Sequence, residues 1–125
     1  MLIQDTRAIV SGGASGLGLA VAEFVVAAGG KVALFDVNDQ AGVEAVRTLG
    51  PAASFYKVDV TSESAVASAV AAAAAALGGL NLAVSCAGVG WPKRMVGKEG
   101  PMPGDFFRKV IEINLVGTLL VCKAA

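Results

Sequence analysis

The chain has 125 residues, of which 55% are hydrophobic, and its ten basic residues balance ten acidic ones. This length allows one small domain, and the balanced charge gives no electrostatic support for nucleic-acid binding. Histidine is absent and the two cysteines have no metal-binding spacing, so no metal site is expected. Neither a membrane-spanning apolar run nor a signal-peptide pattern is present, which predicts a cytoplasmic protein without membrane partners.

Short apolar runs alternate with helical segments along the first two thirds of the chain. Strands are expected at 7–11, 31–35, 54–58 and 80–85, and helices at 19–28, 39–49 and from the turn at 59–62 to residue 77. A loop is expected over 89–104, followed by a helix over 105–125. Strands that alternate with helices form parallel sheets with right-handed crossovers. The pattern predicts an α/β Rossmann-type doubly wound sheet in three α/β/α layers, incomplete at its C-terminal side.

The glycine cluster between the first predicted strand and helix is the most informative motif. Gly12, Gly16 and Gly18 leave the backbone open to a pyrophosphate, and the following helix offers free N–H groups and a favourable dipole. A plain turn is the alternative for an isolated cluster, but the strand before it and the helix after it favour a dinucleotide site. We therefore expect Gly12→Val to abolish cofactor binding and to leave the protein folded.

Asp36 ends the second predicted strand, where a carboxylate can accept both hydroxyls of an adenosine ribose. The same carboxylate would repel a 2′-phosphate, and the neighbouring Val37 offers no positive charge to bind one. A turn or cap aspartate is the alternative. The sequence therefore predicts NAD, rather than NADP, as the cofactor.

Other candidate residues have ordinary structural explanations when each is taken alone. Asp59 fits a turn or a helix start, Cys86 fits a buried thiol at a strand end, and Asn114 fits a helix. The predicted loop carries three basic residues, which either are simply solvated or bind an anionic substrate tail: Lys93, Arg94 and Lys98.

Four motifs, taken together and in this order, resemble the short-chain dehydrogenase/reductase family. Residues 11–18, Ser-Gly-Gly-Ala-Ser-Gly-Leu-Gly, resemble its Thr-Gly-x-x-x-Gly-x-Gly signature. Residues 59–61, 85–88 and 113–117 resemble the elements Asp-Val-Thr, Asn-Asn/Cys-Ala-Gly and the helix that carries the family's asparagine. Ser85 departs from the usual asparagine of the third motif, so the hydrogen bond of that side chain is not carried over.

The resemblance implies roles for the candidate residues. Asn114 would support catalysis by holding a water relay and the family's active-site lysine. Asp59 and Val60 would bracket the adenine ring, and Cys86 and Gly88 would line the path to the nicotinamide ribose. The full set of implied cofactor contacts is Gly12, Ser15, Leu17, Gly18, Asp36, Asp59, Val60, Cys86 and Gly88.

The function implied by the resemblance is NAD-dependent hydride transfer between NAD and a secondary alcohol or ketone. Within the family, the motifs and the long loop that contains Lys98 resemble type 2 3-hydroxyacyl-CoA dehydrogenases, so a 3-hydroxyacyl-CoA is the expected substrate. The alternatives are a non-catalytic NAD-binding module and a fragment without an independent role. The family also implies a homodimer or homotetramer formed through the helix 105–125; the competing explanation is that other residues of the same protein cover this apolar helix.

The proton chemistry of the family has no counterpart in these 125 residues. The family uses a serine and a Tyr-x-x-x-Lys motif, whereas the single tyrosine here, Tyr56, lies in a predicted strand with Val60 four residues later. Residues 1–125 are therefore interpreted as the NAD-binding Rossmann domain, the N-terminal half of a short-chain dehydrogenase. On its own the chain is expected to be inactive, to bind cofactor poorly and to be insoluble or molten.

Overall fold

The computed structural model describes residues 2–125 and contains the predicted alternation of strands and helices. The strands of the main sheet are β1 (Arg7–Ser11), β2 (Lys31–Asp36), β3 (Ala53–Lys57) and β4 (Leu82–Ser85). The helices are α1 (Gly16–Ala27), α2 (Asp39–Leu49), α3 (Glu63–Leu77), α4 (Gly104–Ile111) and α5 (Gly117–Ala124), and a short 3₁₀ turn, Ile3–Asp5, precedes β1.

The main sheet is entirely parallel and has the strand order β3-β2-β1-β4. The order reverses between β1 and β4, because the chain crosses from β3 on one side of β1 to the other side. Ligands of doubly wound sheets bind at this reversal, beside the carboxyl ends of the strands. The predicted Rossmann-type fold is thus confirmed. Within residues 2–125, β4 is an edge strand, as predicted.

The central strands are apolar at their interior positions, 8–10 and 32–35, because helices cover both faces of the sheet. Ala8 and Val10 of β1 belong to a cluster with α1 and α2, whereas Ile9 belongs to one with α3 and α5. In β2, Phe35 is fully buried and meets the Tyr56 ring edge-on at 5.7 Å between centroids. Continuous apolar runs of this kind are typical of parallel sheets with helices on both faces.

The ends of α2 and α3 follow from local side-chain and backbone chemistry. Asn38 and Ser62 each accept a hydrogen bond from the backbone N–H three residues later, which caps the two helix N-termini. Gly50 and Gly78 end these helices with φ angles of 79° and 74°, a region in which other residues are strained.

Asn81 joins β1 to β4 at the amino end of the sheet. Its Oδ1 accepts a hydrogen bond from the Arg7 N–H at 2.8 Å, and its Nδ2 donates one to the Asp5 carbonyl at 2.8 Å. The Arg7 guanidinium also donates to the carbonyl of Gly78 at 3.2 Å. These contacts fix the end of the sheet that lies away from the ligand-binding side.

The structure differs from the predicted elements mainly after β4. The predicted loop 89–104 contains a small antiparallel hairpin, β5 (Val96–Gly97) and β6 (Gly100–Pro101). The predicted helix 105–125 begins at Gly104, and a π-helical turn, Glu112–Val116, interrupts it. The first helix starts at Gly16 rather than at residue 19, because the glycine turn leads directly into it. No helix of residues 2–125 combines the length and apolar character that a membrane span requires.

Candidate nucleotide-binding cleft

A cleft of about 730 Å³ opens at the carboxyl ends of the parallel strands. The glycine turn, the ends of β2 and β3, the segment after β4 and helix α4 form its walls. All nine residues predicted to contact a cofactor line this one cleft: Gly12, Ser15, Leu17, Gly18, Asp36, Asp59, Val60, Cys86 and Gly88. The fold thus brings together residues that lie up to 76 positions apart, as the register of Ser11 beside Ser85 requires.

The N-terminus of α1 faces the cleft without a side-chain cap. Ser15 occupies the cap position but makes no capping hydrogen bond, in contrast to Asn38 and Ser62 on the next two helices. The first N–H groups of a helix have no partner within the helix, and the helix dipole favours negative charge at this end. The arrangement can therefore hold a phosphate group.

The glycines of the turn serve different purposes. Gly12 has a φ of +65°, and a Cβ there would lie 2.7 Å from the Ala87 nitrogen and 2.8 Å from the Cys86 carbonyl carbon. A Cβ on Gly18 would collide with the carbonyl of Gly12. Gly16, by contrast, has a φ of +53° and nothing within 4 Å of its Cβ position. The expectation that Gly12→Val leaves the protein folded is therefore wrong, because the chain's own backbone fills the space.

Asp36 already binds two backbone groups of the protein. Its Oδ2 accepts a hydrogen bond from the Ala14 N–H at 3.1 Å, and its Oδ1 accepts one from the Asn38 N–H at 3.0 Å. The carboxylate therefore joins the glycine turn to the end of β2. Because each carboxylate oxygen can accept a second hydrogen bond, Asp36 can hold the turn and bind ligand hydroxyls at the same time. The exposed Val37 beside it carries no charge.

Asp59 forms a tight turn after β3. Its Oδ1 accepts hydrogen bonds from the Thr61 N–H at 2.9 Å and from the Thr61 hydroxyl at 2.8 Å. These two bonds, and to a lesser extent the positive charge of Lys109, hold the pKa of Asp59 below its ordinary value of 3.8, so the side chain is a carboxylate at neutral pH. The turn interpretation of Asp59 is confirmed, whereas the cap of α3 is provided by Ser62.

Asn114 lies in the π-helical turn and holds the segment after β4. Its Oδ1 accepts a hydrogen bond from the Val89 N–H at 2.8 Å, and its Nδ2 donates one to the Val89 carbonyl at 3.0 Å. Asn114 does not itself line the cleft, but Gly88 does, and a Cβ on Gly88 would lie 3.2 Å from the Asn114 Oδ1. The Asn114 amide thus positions one wall of the cleft.

The end of β4 is joined to β1 through backbone contacts. The Cys86 N–H donates to the Ser11 carbonyl at 3.0 Å, and the Ala87 N–H donates to the Ser11 hydroxyl at 3.4 Å. The buried Ser85 hydroxyl has no hydrogen-bond partner within residues 2–125. The hydrogen bond that was not carried over from the family's asparagine to Ser85 is thus also missing among the residues that the structure describes. Cys86 is a half-buried free thiol that lines the cleft.

Helix α4 supplies cleft residues that the sequence analysis missed. They are Arg108 and Lys109 of α4, and Glu112 and Ile113 of the π-helical turn that follows it. The neighbouring sequence does not identify these residues as part of a site. They reach the strand ends only because the segment after β4 folds back and places α4 there. Arg108 is paired with Asp105 at 2.6 Å on the exposed side of the helix.

An aromatic and cationic cluster attaches the segment after β4 to α4. The Trp91 and Phe106 rings lie 5.9 Å apart, Lys109 Nζ lies 5.7 Å from the Trp91 ring, and Lys93 Nζ lies 5.3 Å from the Phe106 ring. Such cation–π contacts contribute about 0.5–1 kcal/mol each at exposed sites. None of the three loop cations considered for an anionic tail lines the cleft: Lys93, Arg94 and Lys98.

No group of three metal-binding side chains occurs in the part of the chain that the structure describes. The polar groups that line the cleft are backbone N–H groups, hydroxyls, carboxylates, a thiol and the cationic residues Arg108 and Lys109. This set of groups suits an organic phosphate-containing ligand with hydroxyls.

Comparison with known proteins gives a consistent result over almost the whole chain. Residues 6–125 match the family model described as short chain dehydrogenase. The chain is 37% identical over 123 residues to the human 3-hydroxyacyl-CoA dehydrogenase type-2, covering 97% of this chain and 47% of that protein. It is 39% identical over 118 residues to 2,5-dichloro-2,5-cyclohexadiene-1,4-diol dehydrogenase of Sphingobium indicum, covering 92% of this chain and 45% of that protein.

A further relative is named for a different substrate. The chain is 42% identical over 113 residues to 2-dehydro-3-deoxy-L-rhamnonate dehydrogenase (NAD(+)) of a Sphingomonas strain, covering 88% of this chain and 43% of that protein. The chain thus spans about half the length of these curated relatives. The relatives share the word dehydrogenase and act on chemically different compounds.

Proposed function

The chain belongs to the short-chain dehydrogenase family, and from this membership we propose that its cleft binds NAD for hydride transfer to or from a secondary alcohol or ketone. The observation that carries the proposal is the position of the uncapped α1 N-terminus and the Asp36 carboxylate in one cleft. The first suits a pyrophosphate, and the second suits an unphosphorylated ribose. Residues 1–125 would then form the NAD-binding Rossmann domain of the protein.

The proposed roles at the phosphate and adenosine end follow from the walls of the cleft. The backbone at Ser15 and Leu17 would donate hydrogen bonds to the pyrophosphate, since the α1 N-terminus lies there. Asp36 would accept the ribose hydroxyls. Asp59 and the nearly buried Val60 would bracket the adenine ring, with the ionised Asp59 available to accept a hydrogen bond.

The other end of the cleft would take the nicotinamide half. Cys86 and Gly88 line it after β4, and the contact between Asn114 and Val89 fixes this segment. Bound NAD would supply the hydride acceptor or donor. Asn114 is then a positioning residue for the reaction, because its side chain acts through Val89.

A 3-hydroxyacyl-CoA is the substrate that we propose, because relatives named as 3-hydroxyacyl-CoA dehydrogenases match the chain over 97–98% of its length. A second candidate function is NAD binding without catalysis by these residues. Tyr56 lies in β3 with its ring against Phe35, and Val60 stands four residues later. Reduction of a ketone by hydride transfer also needs a proton donor, which a tyrosine with a neighbouring lysine can provide. The only tyrosine of these residues does not form such a pair.

Two measurements test these alternatives on the purified whole protein that contains residues 1–125, since this segment alone is expected to bind cofactor poorly. Isothermal titration with NAD should show saturable binding at one site, and NADH oxidation should then be followed with a 3-ketoacyl-CoA. Turnover would support the dehydrogenase, whereas binding without turnover would support the second candidate. Failure to bind NAD, with the protein shown to be folded, would refute both.

We also propose that the protein forms a homodimer or homotetramer through α4 and α5. Four exposed apolar side chains follow one another at four-residue intervals along α4, the π-helical turn and α5: Phe107, Ile111, Leu115 and Leu119. A continuous exposed apolar row of this kind is typical of an interaction surface.

Sedimentation of the Leu119→Glu variant tests the assembly. The variant should sediment as a smaller species than the parent. Phe24→Glu should not change the assembly, although the Phe24 side chain on α1 is about as exposed as that of Leu119. A parent that is strictly monomeric would contradict the proposal. It would favour coverage of the row by other residues of the same protein.

A further inference from the structure

Gly117 is a helical glycine whose backbone conformation does not require glycine. It ends the π-helical turn with φ −56° and ψ −43°, which is ordinary right-handed helix. Glycine within a helix is less favourable than alanine by about 1 kcal/mol. A requirement for space therefore explains glycine at this position better than a requirement for conformational freedom.

Val60 occupies the space that a side chain at position 117 would need. A Cβ on Gly117 would lie 2.6 Å from Cγ2 and 3.1 Å from Cβ of Val60. Both residues are buried, and Val60 is only 6% exposed. Because interiors are close-packed, the collision could be relieved only by moving Val60 or the helix.

Either movement would change the nucleotide cleft. Val60 lines the cleft beside Asp59, so its displacement away from the helix would alter that wall directly. Displacement of the helix would instead move Ile113, which also lines the cleft, and Asn114, which holds Val89. Both routes connect residue 117 to the cleft, although residue 117 does not itself line it.

We propose that Gly117 is a positioning residue for nucleotide binding: the absence of its side chain lets the helix pack directly on Val60 and so sets the shape of the cleft beside Asp59. The ligand in this inference rests on the proposed function. The role adds to that of Asn114, which holds the segment after β4.

The Gly117→Ala variant tests the inference, with ADP as the probe because ADP contains only the adenosine and phosphate half of NAD. ADP should bind this variant about tenfold more weakly or worse, a difference of roughly 1.4 kcal/mol. In the double variant with Val60→Ala, which removes the closer colliding atom, affinity should return to within about threefold of that of Val60→Ala alone. If Gly117→Ala does not fold, Val60→Ala should restore folding, and failure to restore it would overturn the inference.

Gly42→Ala is the matched control. Gly42 is also a buried helical glycine, and a Cβ there would overlap the Phe55 ring, but neither residue lines the cleft. Gly42→Ala should lower the thermal midpoint and leave the ADP affinity of the folded protein unchanged. If Gly117→Ala behaves in the same way, residue 117 has only a packing role and the inference is wrong.

The NMR signals of the Val60 methyl groups, recorded without nucleotide, separate this inference from the proposed function. They should shift in Gly117→Ala and stay in place in Gly42→Ala. A folded parent that does not bind ADP would refute the proposed function, whatever the methyl signals show. Unchanged Val60 signals in Gly117→Ala would refute the positioning role, even if the parent binds ADP and NAD.

Discussion

NADP is expected to bind the purified protein about a hundredfold more weakly than NAD. If Asp36 meets the adenosine ribose, a 2′-phosphate would lie beside its carboxylate. Two unit charges 4 Å apart repel by about 4 kcal/mol near a protein surface, and a hundredfold difference requires about 2.7 kcal/mol. The adjacent Val37 offers no compensating charge. Titration of the two nucleotides under identical ionic strength measures the ratio, and equal affinities would contradict the ribose role of Asp36.

Asp36→Asn should narrow this preference to about tenfold or less, chiefly by improving NADP binding, since the charge is removed. Asparagine is a better test than alanine because Asp36 also accepts hydrogen bonds from the Ala14 and Asn38 N–H groups. The amide keeps one of those acceptors, so the glycine turn is disturbed less. Asp39→Asn, an exposed aspartate in the first turn of α2, removes the same charge nearby and should leave the preference unchanged.

Gly12→Val is expected to prevent folding, so that neither a cooperative thermal transition nor nucleotide binding is observed. The added side chain would meet the backbone of residues 86–87 and would also force an unfavourable left-handed conformation. Backbone atoms at the ends of β1 and β4 cannot yield as a flexible side chain can. Circular dichroism melting gives the answer, and a variant that melts within a few degrees of the parent would show that the described contact is absent.

Gly16→Ala is the informative contrast to Gly12→Val. Its Cβ meets no atom within 4 Å, so the protein should fold, with a loss of about 1–2 kcal/mol for the left-handed conformation. Gly78→Ala carries the same kind of strain at φ +74°, also without neighbours and outside the cleft. Only Gly16→Ala should also weaken NAD binding. Equal NAD affinities in these two variants would argue against a phosphate at the turn.

The overall architecture could be predicted because its signals are local. An apolar run that ends at Gly12 marks β1, and one that follows Gly30 marks β2. Gly50 and Gly78 mark the ends of α2 and α3. The crossover rules then leave few possible sheet orders. The glycine turn and Asp36 could be recognised as candidates for the same reason, since each stands at a strand end.

The detailed geometry could not be predicted because it depends on contacts between distant residues. The collision that excludes a side chain at Gly12 comes from Ala87, and the amide of Asn114 meets Val89 only after the chain has folded. The same holds for the π-helical turn, which contains neither glycine nor proline, and for α4 as a cleft wall. The glycine pattern marks Gly12, Gly16 and Gly18 alike, and only the folded structure shows that Gly16 alone of the three borders open space.

Trp91 gives the protein a built-in optical reporter. It is the only tryptophan of the chain, so emission excited selectively from tryptophan arises from one place. Its ring lies near the Phe106 ring and near the ammonium group of Lys109. Lys109 also lines the cleft. Any loosening of the segment after β4 from α4 would change the polarity around the indole and therefore its emission wavelength. A displacement of this wall would thus be detectable without a label.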